Sequence, residues 1–454
     1  MIVEAMAATH YSVELMLSRC RKHTSVSHFS WLFVSCLLTM GVSLLRANCQ
    51  ELRALATAPL SLEETQKYAL TQNREIKEAT YEVTKKEAAI RVIIAQRYPK
   101  LLGFVFGGQQ LNRDPGNYPF NFAALPAVLE PVTQQYRLGL QVRQATTEME
   151  SARERLRLTK QRVIAEVKRV YLNAVALKSA ITSREQNIEF LKELNRYVNA
   201  QVKHGASLPV DALQSEAQVA QADYELDKDR DDLISLGQML NRLLGREVLS
   251  HVEFAETANL TLTNPDKQKA IDEAVFQRPE LRQINLSVRS SKLNEKIELS
   301  HYIPDISIGT IGAFSHALQP TLPKELVAVG FLASWEPWDW GRKIQLGKIS
   351  ERTMRQSQVE LSDKRDSVIV EVDNVRRSLA VVAKQVHAAN LKVSSTNEEL
   401  RVLTKRYQFG SSLFKDVVET QSAYSKAITD KVAADTNYAS LQVELDRVLG
   451  RDFN

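Results

Sequence analysis

The chain has 454 residues, with 59 basic and 54 acidic side chains interspersed along it for a formal charge of +5. No single-sign field exists to attract nucleic acid, so a nucleic-acid partner is not expected. Only 16 Gly and 13 Pro punctuate the chain, far fewer than several globular domains need, which points to long uninterrupted elements.

The N-terminal region carries Arg19, Arg21 and Lys22, then an apolar run from Phe29 through Trp31, Leu32, Phe33 and Val34 to Leu45. This is the layout of an export signal, the run being too short for a comfortable membrane span. Residues 1–56 are assigned to it, with cleavage at Ala54-Leu55-Ala56 or near Ala47. Acylation of Cys49 is the second reading, with Arg46 and Asn48 standing where an aliphatic and a small residue are expected. Cys20, Cys36 and Cys49 are the only cysteines, so nothing downstream has a thiol for a disulfide, a metal or a nucleophilic role. No later window is apolar enough for a membrane helix, so a membrane crossing would have to be made by β-strands.

The rest of the chain repeats itself at an offset of 205 positions. Glu75 matches Glu280, Pro99 matches Pro304, Arg137 matches Arg342 and Glu166 matches Glu371; the match runs on through Gly205 with Gly410, Asp211 with Asp416 and Gly245 with Gly450. The offset does not drift, and it aligns Gly and Pro punctuation as well as apolar positions. Two equivalent halves follow, residues 57–250 and 251–454.

Each half predicts the same order. A first helix runs from Ser61 to Arg97, with Ser61, Glu63 and Glu64 as N-terminal signals, and its counterpart from Pro265 to His301; each stops before a proline, Pro99 or Pro304. Short β-prone segments come next, Leu101 to Leu111 and Ile306 to Phe314, then loops holding Asp114, Pro115, Gly116, Asn117 and Pro119, or Pro320 and Pro323. Second strands are expected at Gln134 to Arg143 and at Leu326 to Trp335.

Gly and Pro are then absent for 65 residues, Leu140 to His204, and for 62 residues, Lys348 to Phe409. Sixty helical residues would extend about 90 Å, more than a globular domain can bury. Each rod ends at a glycine suited to a left-handed cap, Gly205 or Gly410. A return helix follows, Pro209 to Leu244 or Lys415 to Leu449, with Pro209 suited to the first turn. Val210, Leu213, Ala217, Ala220, Tyr224, Leu233, Leu236, Leu240 and Leu243 are spaced as a seam for neighbouring helices, while the charged run from Glu148 to Arg157 reads as a solvated face. The fold class is therefore mainly α with a small β part: long antiparallel helical hairpins and four strands per chain. Closed membrane barrels need about eight strands or more, so one chain cannot seal one, and the number of copies is left open by the sequence.

From about Leu60 to Gly450 the chain resembles the TolC-type outer-membrane efflux family. The resemblance is carried by the duplicated order of helix, proline and strand, by the segment Trp335-Glu336-Pro337-Trp338-Asp339-Trp340-Gly341-Arg342, and by the tips Gly205-Ala206-Ser207-Leu208-Pro209-Val210-Asp211 and Gly410-Ser411-Ser412-Leu413-Phe414-Lys415-Asp416. It implies a homotrimer with a twelve-stranded barrel in the outer membrane and a helical tunnel through the periplasm. The implied partners are a periplasmic adaptor and an inner-membrane transporter. Glu130 to Arg137 departs from the family by lacking the Trp-Pro segment of the second half.

The resemblance also implies a gate at the hairpin tips. Asp416 and Glu419 share a helix face and would form acidic rings whose crowded carboxylates repel one another and titrate upward. Tyr407 corresponds to a tyrosine that bonds across to the acid of the first tip, Asp211. Ser412 stands where the family often carries an arginine, which gives no support to an inter-protomer salt link and implies a looser gate. A plainer reading keeps Asp211 and Asp416 as charges at the positive ends of their helices. Gly205, Ser207, Leu208, Gly410, Ser412 and Leu413 are the expected adaptor-facing tip positions. Trp335, Trp338 and Trp340 suit an interfacial aromatic belt against outer-membrane lipid, or ordinary packing where strand meets helix. No nucleophile elbow, phosphate loop or ligand-spaced histidine cluster is present, so neither an enzyme activity nor a cofactor or metal is expected. The competing function is a periplasmic coiled-coil adaptor or rod with no membrane-spanning part.

Overall fold

The computed structural model describes residues 60–109, 120–255, 265–316 and 325–451. The expected export signal, the three cysteines and the loops holding Asp114 to Pro119, Pro320 and Pro323 lie outside them.

Helix α1, Leu62–Gln72, opens on a capping box. Ser61 Oγ accepts from Glu64 N at 3.3 Å, and the Glu64 carboxylate accepts from Ser61 N at 3.0 Å. The single helix expected to run on to Arg97 is broken at Asn73. Its side-chain oxygen accepts from Glu75 N and Ile76 N at 2.8 and 3.1 Å and restarts the chain as α2, Arg74–Ala95. The second half breaks at the equivalent place: α5, Lys267–Gln277, gives way at Arg278 to α6, Pro279–Ser300. There the cause is Pro279, which pushes the residue before it out of the helical region. Both second helices stop short of Pro99 and Pro304 as expected.

Four strands follow the order β1 Lys100–Gln109, β2 Phe120–Pro131, β3 Asp305–His316 and β4 Glu325–Ser334, all antiparallel in a single sheet β1-β2-β3-β4. The second strand of the first half is therefore not Gln134 to Arg143, which belongs to a helix. Tyr136, Leu138, Leu140 and Val142 alternate as a strand would, but Leu138 and Leu140 are buried in the first turns of the long rod. The true β2 is disguised by Pro126, which has no N–H to give a ladder. Its pairing with β3 runs from Phe122 to Ala124, skips Leu125 and Pro126, and resumes at Ala127. Gly103 pairs with Pro126 on the other side.

The rods α3, Gln134–Lys203, and α7, Arg342–Gln408, have 70 and 67 residues. At 1.5 Å per residue each is about 100 Å long. Their return helices are α4, Pro209–Leu244, and α8, Phe414–Val448. Helix α3 packs on α2 and α6 next to the sheet and on α4 and α8 beyond; α7 packs on α6 and then α8. Thus α3, α6 and α8 are flanked on both sides, whereas α2 and α4 form one edge of the helical layer and α7 the other. Between the two stretches lies a belt. There α1 and α5 pack on the rods, and Tyr171 OH lies 2.8 Å from the carbonyls of both Leu60 and Ala255. No helix among the described residues is long and apolar enough to cross a membrane.

Candidate functional site

Both hairpins turn on a left-handed glycine, Gly205 at φ 72° and Gly410 at φ 70°, with open space around each. Just beyond, the tip acids cap the return helices: Asp211 accepts from Leu208 N at 3.1 Å and Asp416 from Leu413 N at 3.3 Å. The plainer capping role is therefore present in the geometry for both. Leu208 and Leu413 project into solvent, an uncommon position for leucine at a helix start that leaves an apolar knob on each tip.

The two tips lie side by side, packed through a cluster of Leu194, Val198, Leu400, Phe414 and Val417. Tyr407 meets Tyr197 edge-on at 5.9 Å and Phe414 at a tilt of 51°, 5.6 Å between ring centres. Its hydroxyl does not reach Asp211 directly. It lies 3.4 Å from Ser207 Oγ, which in turn donates to Asp211 at 3.2 Å, so Ser207 is interposed. Ser412, the equivalent of Ser207, instead hydrogen-bonds the Leu403 carbonyl within its own hairpin, at 3.5 Å. Glu419 is exposed and paired with Lys415 at 3.5 Å.

At the other end of the rods, Asp339 organises the turn from β4 into α7. It accepts from Gly341 N at 3.2 Å and Lys343 N at 2.9 Å, across Trp340 and Gly341, which are both left-handed. Arg342 reaches back to Glu336 at 2.6 Å. Trp335, Trp338 and Trp340 are all exposed and Trp338 meets Trp340 edge-on, an arrangement of rings on the surface rather than in a core. Arg137, the repeat partner of Arg342, instead crosses to the other half and holds both Asp305 oxygens at 2.9 Å. Sequence reasoning did not find that link; only the shared offset of the two arginines could have flagged it.

The sheet has two free edges, β1 and β4. Its Lys, Arg, Asp and Glu residues are Lys100, Glu130, Asp305 and Glu325, each at or next to a strand end. The register puts Leu101, Val105, Val128, Ile308, Val329 and Phe331 on one face and Leu102, Phe104, Phe106, Leu125, Leu326 and Leu332 on the other. On β4, Val329 and Phe331 are 77% and 78% exposed, against 47% and 59% for Leu326 and Leu332, so on that strand the first face is the more exposed. The edge helices are equally unfinished. On α7, exposed Val359, Val370 and Val381 recur every eleven residues, about three turns, and on α4 Leu213 and Tyr224 have the same interval.

Residues 66–246 and 270–451 match the outer membrane efflux protein family. The chain belongs to that family. It is thus an outer-membrane channel protein, not an enzyme. Nodulation protein T of Rhizobium leguminosarum bv. viciae is 23% identical over 334 residues, a match spanning 69% of this chain and 65% of that protein. Among solved structures, CusC, described for folding and transmembrane channel formation, superposes with a TM-score of 0.77 at 17% identity, covering 86% of this chain and 92% of its own. The Campylobacter jejuni CmeC outer membrane channel gives 0.75 at 15%, covering 86% and 85%. The mainly helical fold with its small four-stranded sheet is the fold of these channels.

Proposed function

We propose that three copies of this chain close into a passive exit duct through the outer membrane, loaded by an inner-membrane transporter through a periplasmic adaptor and gated at the hairpin tips. The observation that carries this is the unfinished pair of edges. A sheet edge with unpaired backbone groups cannot face lipid. β4 of one copy and β1 of the next run antiparallel, and the same step sets the apolar stripe of α7 against the α2 and α4 edge of its neighbour. Such a head-to-tail contact closes into a ring. Three copies of four strands give twelve, the number the family resemblance implies.

In that ring the apolar face carrying Leu101, Val105, Val329 and Phe331 meets lipid, with Trp335, Trp338 and Trp340 at its periplasmic margin. The tips carry the gate: Asp416 and Glu419 as acidic rings, and Tyr407 tied through Ser207 to Asp211. Gly205, Ser207, Leu208, Gly410, Ser412 and Leu413 face the adaptor, the exposed leucines offering it apolar contact. Residues 1–56 serve as the export signal, and 57–250 and 251–454 are the two repeats. A periplasmic rod gives no role to the exposed apolar sheet.

The test is to purify the chain in detergent, weigh it by light scattering and reconstitute it in planar bilayers. A trimer that conducts, with a cation preference reduced in the Asp416→Ala/Glu419→Ala variant, is the expected result. A monomer without conductance rejects the duct; unchanged selectivity rejects the acidic rings.

A further inference from the structure

We propose that neighbouring copies meet in the register that the two halves of one chain already show, and that Glu216 of one copy and Lys392 of the next form the ion pair that fixes it. The inference rests on the closed-ring reading above and adds to it which side chains touch. The helices of the hairpins lie in the order α4, α3, α8, α7, so α7 stands to the next copy's α4 as α3 stands to α8. The offset of 205 residues holds without a gap along both hairpins. Each contact of α3 with α8 therefore has an equivalent between α7 and the neighbouring α4, found by adding 205 on one side and subtracting it on the other.

Two adjoining contacts carry the argument. Inside the chain, Gln421 Nε2 donates to Asn187 Oδ1 at 2.5 Å, and the equivalents of this pair are Glu216 and Lys392. An amide pair within the copy becomes a carboxylate and an ammonium between copies. Both residues are exposed in the single chain, and neither has a hydrogen-bond or ion-pair partner among the described residues. Nearer the sheet, the Arg184 guanidinium donates to Thr429 Oγ1 at 3.0 Å, and the equivalents are Ala389 and Tyr224. The long side chain has changed sides. Tyr224, 64% exposed, stands where the internal boundary has a threonine, and it faces an alanine where that boundary has an arginine. Charge and size are thus complementary at neighbouring positions.

Beside the sheet the internal ion pairs have no such counterpart. Arg137 with Asp305, Glu154 with Arg282 and Glu150 with Arg289 tie α3 to the second half. Their equivalents are Arg342 with Lys100, Val359 with Lys77 and Arg355 with Thr84, none of them a pair of opposite charges. The α7 stripe does not fix the register either. Its exposed valines recur every eleven residues, so a copy slipped by that interval finds apolar contact again. The slip would put Val381 where Lys392 belongs and strand both charges, which is what makes the ion pair selective. Lys392 lies about 24 Å before the end of α7 at 1.5 Å per residue, clear of the tip acids.

The experiment uses the full-length protein in detergent, treated with a short bismaleimide and run on a denaturing gel. Glu216→Cys/Lys392→Cys should give covalent dimers and trimers, while either single variant and the wild type, which control for the native thiols, should not. Glu216→Cys/Val381→Cys, three turns off on the same face, should stay monomeric on the gel. A second arm needs no cysteine. Glu216→Lys and Lys392→Glu each set like charges opposite one another at three boundaries and should raise the monomer fraction severalfold at a fixed detergent concentration. The exchange Glu216→Lys/Lys392→Glu should return that fraction to the wild-type level, a recovery that loss of folding would not allow. Linking through Val381 instead of Lys392, or no linking in a protein that weighs as a trimer, overturns the register and leaves the duct standing. An exchange variant as dissociated as the single reversals overturns the ion pair. A wild-type protein that weighs as a monomer overturns the duct as well.

Discussion

Asn73 and Arg278 occupy equivalent positions, and the two halves fill that position with opposite chemistry. Each residue sits at a break between two helices, and the glycine cap of its half's return helix presses against that break. A Cβ on Gly245 would lie 2.8 Å from the Gln72 carbonyl oxygen; on Gly450 it would lie 2.9 Å from Arg278 N. The backbone arrangement is thus shared. In the first half the buried group is a neutral amide, which caps α2 and donates to the Leu243 carbonyl at 2.6 Å. In the second it is a guanidinium only 2% exposed, bound to Glu371 at 2.5 Å and Glu280 at 3.0 Å, with Arg447 sharing Glu371 at 2.6 Å. A repeat can keep a backbone joint while one copy turns it into an ion cluster, provided every charge is paired.

The largest expected effect comes from breaking that pairing. Arg278→Ala leaves Glu371 and Glu280 partly buried with fewer partners and should lower stability by about 3 kcal/mol. Asn73→Ala loses a cap and an amide bond and should cost about 1.5 kcal/mol. Urea midpoints of the detergent-solubilised protein measure both. An Asn73 variant as damaging as the Arg278 variant would show that the ionic half is no more dependent on its side chain than the neutral one.

Glycine substitutions sharpen the comparison along a second axis. All four cap glycines are left-handed, but Gly245 and Gly450 abut backbone whereas Gly205 and Gly410 stand in open space. Alanine at the first pair should cost about 2 kcal/mol, and at the tips about 1 kcal/mol, the conformational share alone. Equal melting shifts for the four variants would remove steric contact as a cause.

Titration separates the halves more gently. Burial pushes the Glu371 carboxyl up, but hydrogen bonds and charge from Arg278 and Arg447 outweigh it, and its pKa is held below the usual carboxylate range. A depressed folded value contributes stability that is complete above the unfolded pKa of about 4.3 and is lost as pH falls through the folded value. The Arg278→Ala variant should therefore lose less stability than the wild type between neutral pH and pH values below about 4. Parallel acid curves for the two proteins would contradict the role given to the arginines.

These contrasts mark what the sequence can disclose. The tips were legible because their signals are local: a glycine that stops a rod, then an acid three residues into the next helix. Pro99 and Pro304 fixed the helix ends for the same reason. The break at Asn73 was hidden because capping by an asparagine within an otherwise helical pattern looks like a surface residue. β2 was missed because Pro126 argued against a strand while the period-two run from Tyr136 to Val142 imitated one. Arg278 meets Glu371 across 93 residues of chain, and no local pattern announces such a partner. At the candidate gate, both acids and Tyr407 came from motif position, but the contact that joins them needs two hairpins packed side by side.

That contact supplies the smallest effect and the finest contrast between the halves. Ser207 and Ser412 are repeat partners, yet Ser207 alone of the two bridges the hairpins, to Tyr407 across 200 residues of chain. The bond is long and partly solvated, so Ser207→Ala should change stability by only about 0.5 kcal/mol. Its consequence lies in the gate, where loosening one tip from the other should raise the fraction of time the reconstituted channel conducts. Ser412→Ala removes a bond inside one hairpin and should leave that fraction unchanged. Single-channel recordings of the two variants decide the matter: equal opening in both would mean that the tips are held by the Leu194, Val198, Phe414 and Val417 cluster alone, with the hydroxyl bridge a bystander.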